Sequence, residues 1–236
     1  MASNKHIVVF SGAGMSAESG IRTFRGKGGL WEKFRPEELA SPEAWQKNPE
    51  KVLAFYNERR KQLNKALPNA GHKALAALEK DYPVTIITQN IDDLHERAGS
   101  TKVVHLHGEL KKARSNIDPN LVYEIKGDEI NIGDRCEKGS QLRPHVVWFG
   151  EPVMAMENAL RIIQTADYFI IVGTSLSVYP AAGLVLDVPE KAVIFLVNPE
   201  KPEMNMQQKF EWIPENASEG LPKVIDKINN EEKNFV

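Results

Sequence analysis

Six short runs of apolar, largely β-branched residues recur along the chain, at 6–10, 84–87, 103–106, 146–149, 168–172 and 192–197. None of them alternates with polar residues. A strand with one wet face alternates, whereas a strand covered on both faces reads as a continuous apolar run. The runs therefore predict parallel strands buried between two layers. Helical patterns lie between them. Asn69 can cap a helix carrying Ala74, Leu75 and Leu78, and 91–98 forms a short helix closed by Gly99. Over 154–166, Ala155, Ala159, Ile162, Ile163 and Ala166 share a face. A last helix starts at Asn216 or Ser218 and carries Leu221, Val224, Ile225 and Ile228. Such alternation predicts an α/β fold with a doubly wound sheet. Two stretches break the pattern. Residues 27–68 are mostly helical, with Trp31, Phe34, Trp45 and Phe55 as bulk, and 109–142 are polar. Both are expected over the crevice at the carboxyl ends of the strands.

The chain of 236 residues suits one sizeable core and a small appended module. Its 30 basic and 32 acidic side chains leave a formal charge of −2, so no basic excess points to nucleic acid. The clusters Arg59-Arg60-Lys61 and Lys111-Lys112 are short and read as solvated faces. No stretch approaches the roughly 18 apolar residues that span a bilayer. No signal or transit segment is evident at the N-terminus, and the single cysteine, Cys136, excludes an intramolecular disulfide framework. A cytoplasmic monomer without membrane or nucleic-acid partners is the expectation.

The residues that end the strands carry the chemistry. Gly12-Ala-Gly14-Met-Ser16 follows the first strand, where a doubly wound fold keeps its phosphate site. A tight turn without a ligand gives the same pattern. The next glycine, Gly20, departs from the dehydrogenase spacing, and no acid ends the second strand, which disfavours hydride transfer. Gly20-Ile-Arg-Thr-Phe24-Arg25-Gly26 can cover a nucleotide's reactive end, or be a surface loop anchored by one phenylalanine. Thr88-Gln-Asn-Ile-Asp92 offers donors and acceptors to an amide and to ribose hydroxyls, or caps the helix that starts there. His105-Leu-His107-Gly108 places two histidines on one face, as a general base, a metal pair lacking a third ligand, or structure. Gly173-Thr-Ser175 and Val197-Asn-Pro-Glu200 end two later strands on the crevice side.

One helix is out of keeping with its own pattern. From Pro49 to Leu67, capped by Asn48, a rotation of about 100° per residue puts Val52, Tyr56, Arg59, Leu63 and Leu67 within roughly 80°. Arg59 sits in the middle of that apolar stripe. A guanidinium buried without an anion is costly. An internal carboxylate, a carboxylate ligand or solvent at a pocket edge would each relieve it, and Tyr56 is placed to share the same anion.

Together these residues resemble the sirtuin family. The resemblance runs in order through 12–16, 20–26, 88–92, His107-Gly108, 143–151, 173–175 and Asn198. It implies one catalytic domain over 1–236: a Rossmann-like NAD core (about 1–26, 69–108 and 143–236) with insertions at about 27–68 and 109–142 forming a small module. It implies NAD as co-substrate and an acyl-lysine protein or peptide lying between the two parts. The acyl oxygen would attack the nicotinamide ribose carbon. His107 would act as base for a ribose hydroxyl, with Asn90 and Asp92 at the nicotinamide end. Products would be nicotinamide, free lysine and O-acyl-ADP-ribose. The implied NAD contacts are Gly12, Ala13, Gly14, Ser16, Ala17, Thr23, Phe24, Arg25, Trp31, Gln89, Asn90, Ile91, Asp92, Gly173, Thr174, Ser175, Asn198, Pro199, Glu200 and Ala217. The segment Val146-Val147-Trp148-Phe149 resembles the substrate channel, where the backbone of Val147 and Phe149 pairs with the peptide as an added strand.

Tyr56-Asn-Glu-Arg59 resembles the Tyr-x-x-Arg pattern of members that remove succinyl, malonyl and related acidic groups, and deacetylation is expected alongside. A charged hydrogen bond to a carboxylate, about 1.5–3 kcal/mol, shifts selectivity by one to two orders of magnitude. Ala40 and Ala54 are consistent with a wide acyl pocket. One departure stands out. Members usually hold a structural zinc with two cysteine pairs, but Ser115 stands at the first cysteine position and only Cys136 remains near the second pair. Four ligands are the norm for such a site, so no zinc is expected. The competing functions are mono-ADP-ribosyl transfer from the same NAD site and a non-catalytic NAD or O-acyl-ADP-ribose sensor.

Overall fold

The computed structural model describes residues 3–24, 28–32, 35–202 and 208–234. Phe34 lies outside them. Strands β1 (Ile7–Ser11), β2 (Val84–Thr88), β3 (Val103–His105), β7 (Tyr168–Val172), β8 (Val193–Val197) and β9 (Glu211–Ile213) form a six-stranded sheet. The order is β3-β2-β1-β7-β8-β9, and every pair is parallel. The lack of alternation has a direct cause. Ile7 and Val9 face a core formed with α4 (Ala70–Leu78) and α7 (Ala217–Asn234). Val8 and Phe10 face a second core formed with α6 (Met156–Ile163) and the 3-10 turn Ala181–Asp187. Both faces of β1 are dry, as in a doubly wound sheet.

Register places the site. Ser11 lies opposite both Thr88 and Val172, and Val172 lies opposite Val197. The next residues, Gly12, Gln89, Gly173 and Asn198, therefore leave the sheet along one line. Short β9 was not foreseen, and the run at 146–149 is no part of this sheet. Instead β6 (Leu142–Val146) pairs antiparallel with β4 (Gly108–Ser115), which also pairs with β5 (Val122–Glu124). The chain then turns out of the sheet, because the N–H groups of Val147 and Phe149 donate to His107 and Ala40 carbonyls at 2.9 Å each. The run is apolar for another reason: Val146 and Trp148 fill a third core with Trp45, Val52, Leu53 and Tyr56.

The 27–68 stretch supplies α1 (Pro36–Leu39), α2 (Pro42–Lys47) and α3 (Pro49–Lys65). Asn48 caps α3 by accepting from Lys51 N at 2.9 Å, with Pro49 in the first turn. Val52, Tyr56, Arg59 and Leu63 are buried as the stripe predicts, but the helix stops at Lys65 and Leu67 is exposed. Arg60 corrects the reading of its cluster as a solvated face. It is fully buried, because α3 is covered on a second side by β4 and the 128–130 segment. Its Nε donates to Leu110 O at 2.8 Å, and its Nη1 to Asn57 Oδ1 at 2.8 Å and Asp128 O at 2.9 Å.

In the small module Cys136 Sγ donates to Ser115 Oγ at 3.3 Å, both residues being buried. Ser115 Oγ also accepts from the N–H groups of Ile117 and Asp118 at 3.3 Å each. Among the described residues, no helix is long and apolar enough to cross a membrane.

Arg60→Met keeps the apolar stem and removes three charged hydrogen bonds, the one to the buried Leu110 carbonyl among them. The variant is expected to lose about 2–3 kcal/mol of stability, read as a lower urea midpoint at unchanged m-value. An unchanged midpoint would mean that these hydrogen bonds contribute nothing net.

Candidate active site

A cavity of about 360 Å³ opens along the carboxyl ends of β1, β2, β7 and β8. Its size suits a small organic ligand. Backbone approach is tight at the β1 and β7 turns. A Cβ on Gly14 would lie 2.8 Å from Gly173 Cα, and one on Gly173, with φ +62°, would lie 2.2 Å from Met15 N. Only glycine lets these turns meet, and their contact sets one wall of the cavity. Gly12, Ala13, Thr23, Phe24, Trp31, Gln89, Asn90, Ile91, Thr174, Ser175, Asn198 and Glu200 join it there, with Tyr56, His107 and 146–149 opposite.

A smaller compartment adjoins it, lined by Ser16, Phe24, Arg59, Asn90 and Asp92 among others. Asn90 and Asp92 are both buried. Asn90 Nδ2 donates to Gly12 O at 3.1 Å and Ser16 Oγ at 3.2 Å, and Ser16 Oγ donates to Asp92 Oδ2 at 2.9 Å. The helix-cap reading of Asp92 also holds, since Oδ1 accepts from Leu94 N at 3.2 Å at the start of α5 (Leu94–Ala98). Burial raises the Asp92 carboxyl above its ordinary value, and the Ser16 and Leu94 hydrogen bonds only partly oppose this.

Two histidines two residues apart have their pKa values pushed in opposite directions. His107 Nδ1 lies 2.9 Å from Gln89 O. A carbonyl only accepts, so Nδ1 carries the hydrogen and Nε2 keeps its lone pair. Burial lowers the His107 pKa, with the Gln89 carbonyl opposing in part, so the ring is neutral near pH 7. His105 Nδ1 lies 3.0 Å from Asn90 O, and its Nε2 lies 2.7 Å from Glu96 Oε1. Burial would lower its pKa as well, but the Glu96 hydrogen bond and charge outweigh it and raise the value.

Tyr56 and Arg59 share the buried face of α3 but serve different walls. Tyr56 lines the main cavity and Arg59 the smaller compartment, with its Cζ 5.0 Å from the Phe24 ring centroid. Arg59 is 6% exposed, and neither Nε nor Nη1 has a hydrogen-bond partner. Ala40 is buried in the third core and Ala54 is exposed, so neither widens the cavity. Of the remaining expected contacts, Ala17 and Pro199 are exposed and Ala217 packs in the first core, all away from the cavity wall. Arg25 lies outside the described residues. Val178, Tyr179, Pro180 and Glu151 also line the cavity. No local sequence signal marks them, although Glu151 ends the stretch 143–151.

Comparison with known proteins agrees with this geometry. The profile of the Sir2 family matches residues 12–180. A Helicobacter pylori (strain J99) protein named NAD-dependent protein deacylase is 51% identical over 96% of this chain and 98% of its own length. An Aquifex aeolicus protein of the same name is 49% identical over 94% and 95%. The solved structure of a Sir2 homologue–NAD complex is 42% identical, with TM-score 0.85 over 97% of this chain and 91% of that one. A Sir2 structure with deacetylated p53 peptide and 3'-O-acetyl ADP-ribose is 30% identical, with TM-score 0.80 over 95% and 94%.

Glu96→Gln would remove the group that raises the His105 pKa. A pKa raised on folding adds stability that is full below about pH 6.5 and fades as pH rises through the raised value. In the variant, ring-proton NMR is expected to show His105 titrating lower, with His107 unmoved. An unchanged His105 titration would assign its raised value to another neighbour.

Proposed function

The chain belongs to the Sir2 family, and from that premise we propose that it is an NAD-dependent protein-lysine deacylase preferring succinyl, malonyl and related acidic acyl groups, with acetyl removed as well. The observation that carries the acyl preference is Arg59: a guanidinium 6% exposed, on an otherwise apolar helix face, with Nε and Nη1 unpartnered. A buried cation of this kind calls for an anion. No carboxylate within the described residues pairs with it, and the compartment it lines opens beside the cavity that Tyr56 lines.

The line of strand-end turns fits NAD, because the β1 and β7 backbones meet there without side chains and the cavity continues to Asn198 and Glu200. When bound, NAD supplies an electrophilic ribose carbon whose leaving group is nicotinamide. This chain's residues would do the rest. Asn90, which lines the main cavity as well as the smaller compartment, would with Ser16 and Asp92 hold the nicotinamide and ribose end. His107 would accept a ribose hydroxyl proton at Nε2, a role suited to a ring kept neutral by burial and fixed in one tautomer by Gln89 O. The 147–149 segment would take the peptide as an added strand. Its three N–H groups are already spent on His107 O, Ala40 O and Glu151, so the peptide would donate to its carbonyls.

The same reading includes a small module that forms without zinc. The Ser115–Cys136 hydrogen bond, with the backbone donors on Ser115, supports this by satisfying the groups that stand at two ligand positions.

Two measurements test the reading. With NAD and matched peptides, Arg59→Met is expected to cut kcat/KM for succinyl-lysine about ten- to a hundredfold, through loss of a charged hydrogen bond. Acetyl-lysine turnover should fall far less. Equal losses on both peptides would make Arg59 structural and remove the acidic preference. Dialysis against EDTA should leave the thermal midpoint and the activity unchanged. A midpoint that falls on metal removal and returns with zinc would overturn the metal-free module.

A further inference from the structure

Glu151 is the hub of a network that the proposed chemistry leaves unused. Its carboxylate accepts from Arg143 Nη1 at 2.6 Å and Nη2 at 3.1 Å, from Arg114 Nη2 at 3.1 and 3.0 Å, and from Trp148 N at 2.8 Å. Burial would raise this carboxyl, but the Arg143 and Trp148 hydrogen bonds and the arginine charges outweigh it and hold it low. Arg143 so fixed sits over the Trp148 ring, with Cζ 3.2 Å from the ring centroid. Trp45 packs against the same indole at 5.7 Å between centroids. The indole of Trp148, 2% exposed, is thereby held in one orientation.

That orientation points Nε1 at Tyr56 Oη, 3.1 Å away and also buried. An indole N–H only donates, so the Tyr56 hydroxyl must accept from it. Its own hydrogen is then committed elsewhere, and Tyr56 lines the main cavity. Burial also keeps the phenol well above its ordinary pKa, the Trp148 hydrogen bond opposing only in part, so it holds its hydrogen throughout the neutral range. A hydroxyl free to rotate can accept as readily as donate. One that accepts from an indole has its own hydrogen turned away from that indole and pre-oriented to donate.

We propose that Trp148 is a specificity-determining positioning residue: its N–H, aimed by Arg143 and Glu151, makes the Tyr56 hydroxyl a fixed donor toward a carboxylate on the acyl chain. The inference rests on the acidic-acyl reading and goes beyond it. There, selectivity belongs to a charge on α3. Here, it also depends on a second donor whose orientation is set by the packed indole beside it. The network's own charge agrees, since Arg114 and Arg143 exceed Glu151 by one positive charge beside the channel.

The test compares Trp148→Phe with a variant carrying 3-benzothienylalanine at 148, which keeps the bicyclic shape and removes only the N–H. Thermal unfolding establishes that each is folded. For both, the succinyl-to-acetyl ratio of kcat/KM is expected to fall about tenfold, through KM for the succinyl peptide, as for one lost oriented donor to a charge. In a Tyr56→Phe background neither change should lower the ratio further, because the hydroxyl they orient is gone. A ratio unchanged in the benzothienyl variant, or losses that add in the double variants, would overturn the assignment. If wild type removes succinyl and depends on Arg59 while the ratio ignores position 148, this inference alone fails. If wild type shows no Arg59-dependent succinyl activity, the acidic-acyl reading fails with it.

Discussion

Everything in the site depends on the position of β1 between β2 and β7. The sheet is wound outward in both directions from that strand, and a crevice opens where the winding reverses. Because Ser11, Thr88 and Val172 are in register, the turns after three strands begin at one height. The glycine contact between the β1 and β7 turns closes one wall, and the side chains that follow β2 face it. A residue larger than glycine at 14 or 173 would part the turns before it touched any ligand.

The polar groups of the crevice are not free to choose their roles. Backbone carbonyls and one carboxylate choose for them. Gln89 O fixes the tautomer of His107, and burial keeps that ring neutral. Asn90 O and Glu96 give His105 two acceptors, and Glu96 raises the pKa of the ring. The same two carbonyls belong to adjacent residues of one segment, so the histidines also brace the backbone that presents Asn90. In this way one stretch of chain carries both the ligand groups and the acceptors that tune the base.

The α/β order, the strand positions and the caps of α3 and α4 were legible because each rests on local chemistry: buried β-branched runs, Asn48-Pro49 and Asn69. The strand-end residues were legible for the same reason, since a doubly wound sheet places its ligand groups there. What failed depended on partners distant in sequence. The run at 146–149 looks like a core strand, but its N–H groups are claimed by His107, Ala40 and Glu151. Arg60 sits in a basic cluster, and nothing local tells that Leu110 and Asp128 carbonyls wait for it. Glu151 shows no role in the sequence because its partners lie at 114, 143 and 148.

Arg59 and Arg60 show how function separates from structure within one helical turn. Both are buried, and burial lowers the pKa of both. Arg60 gives Nε and Nη1 to two carbonyls and the Asn57 amide, with only Nη2 left without a partner, so most of its charge is met by protein and α3 is fastened to β4. Arg59 sits against the face of Phe24, with Tyr56 and then Asp92 as its electrostatic neighbours and no hydrogen bond at Nε or Nη1. A fold selected for stability alone would fill that position with leucine, as at Leu63 one turn later. Retaining a guanidinium there costs stability in the empty protein, and a carboxylate entering the compartment offsets that cost only when it is present. The unpaired cation is thus the part of the apolar stripe that the fold does not need, which is why it carries the argument for an acidic acyl group.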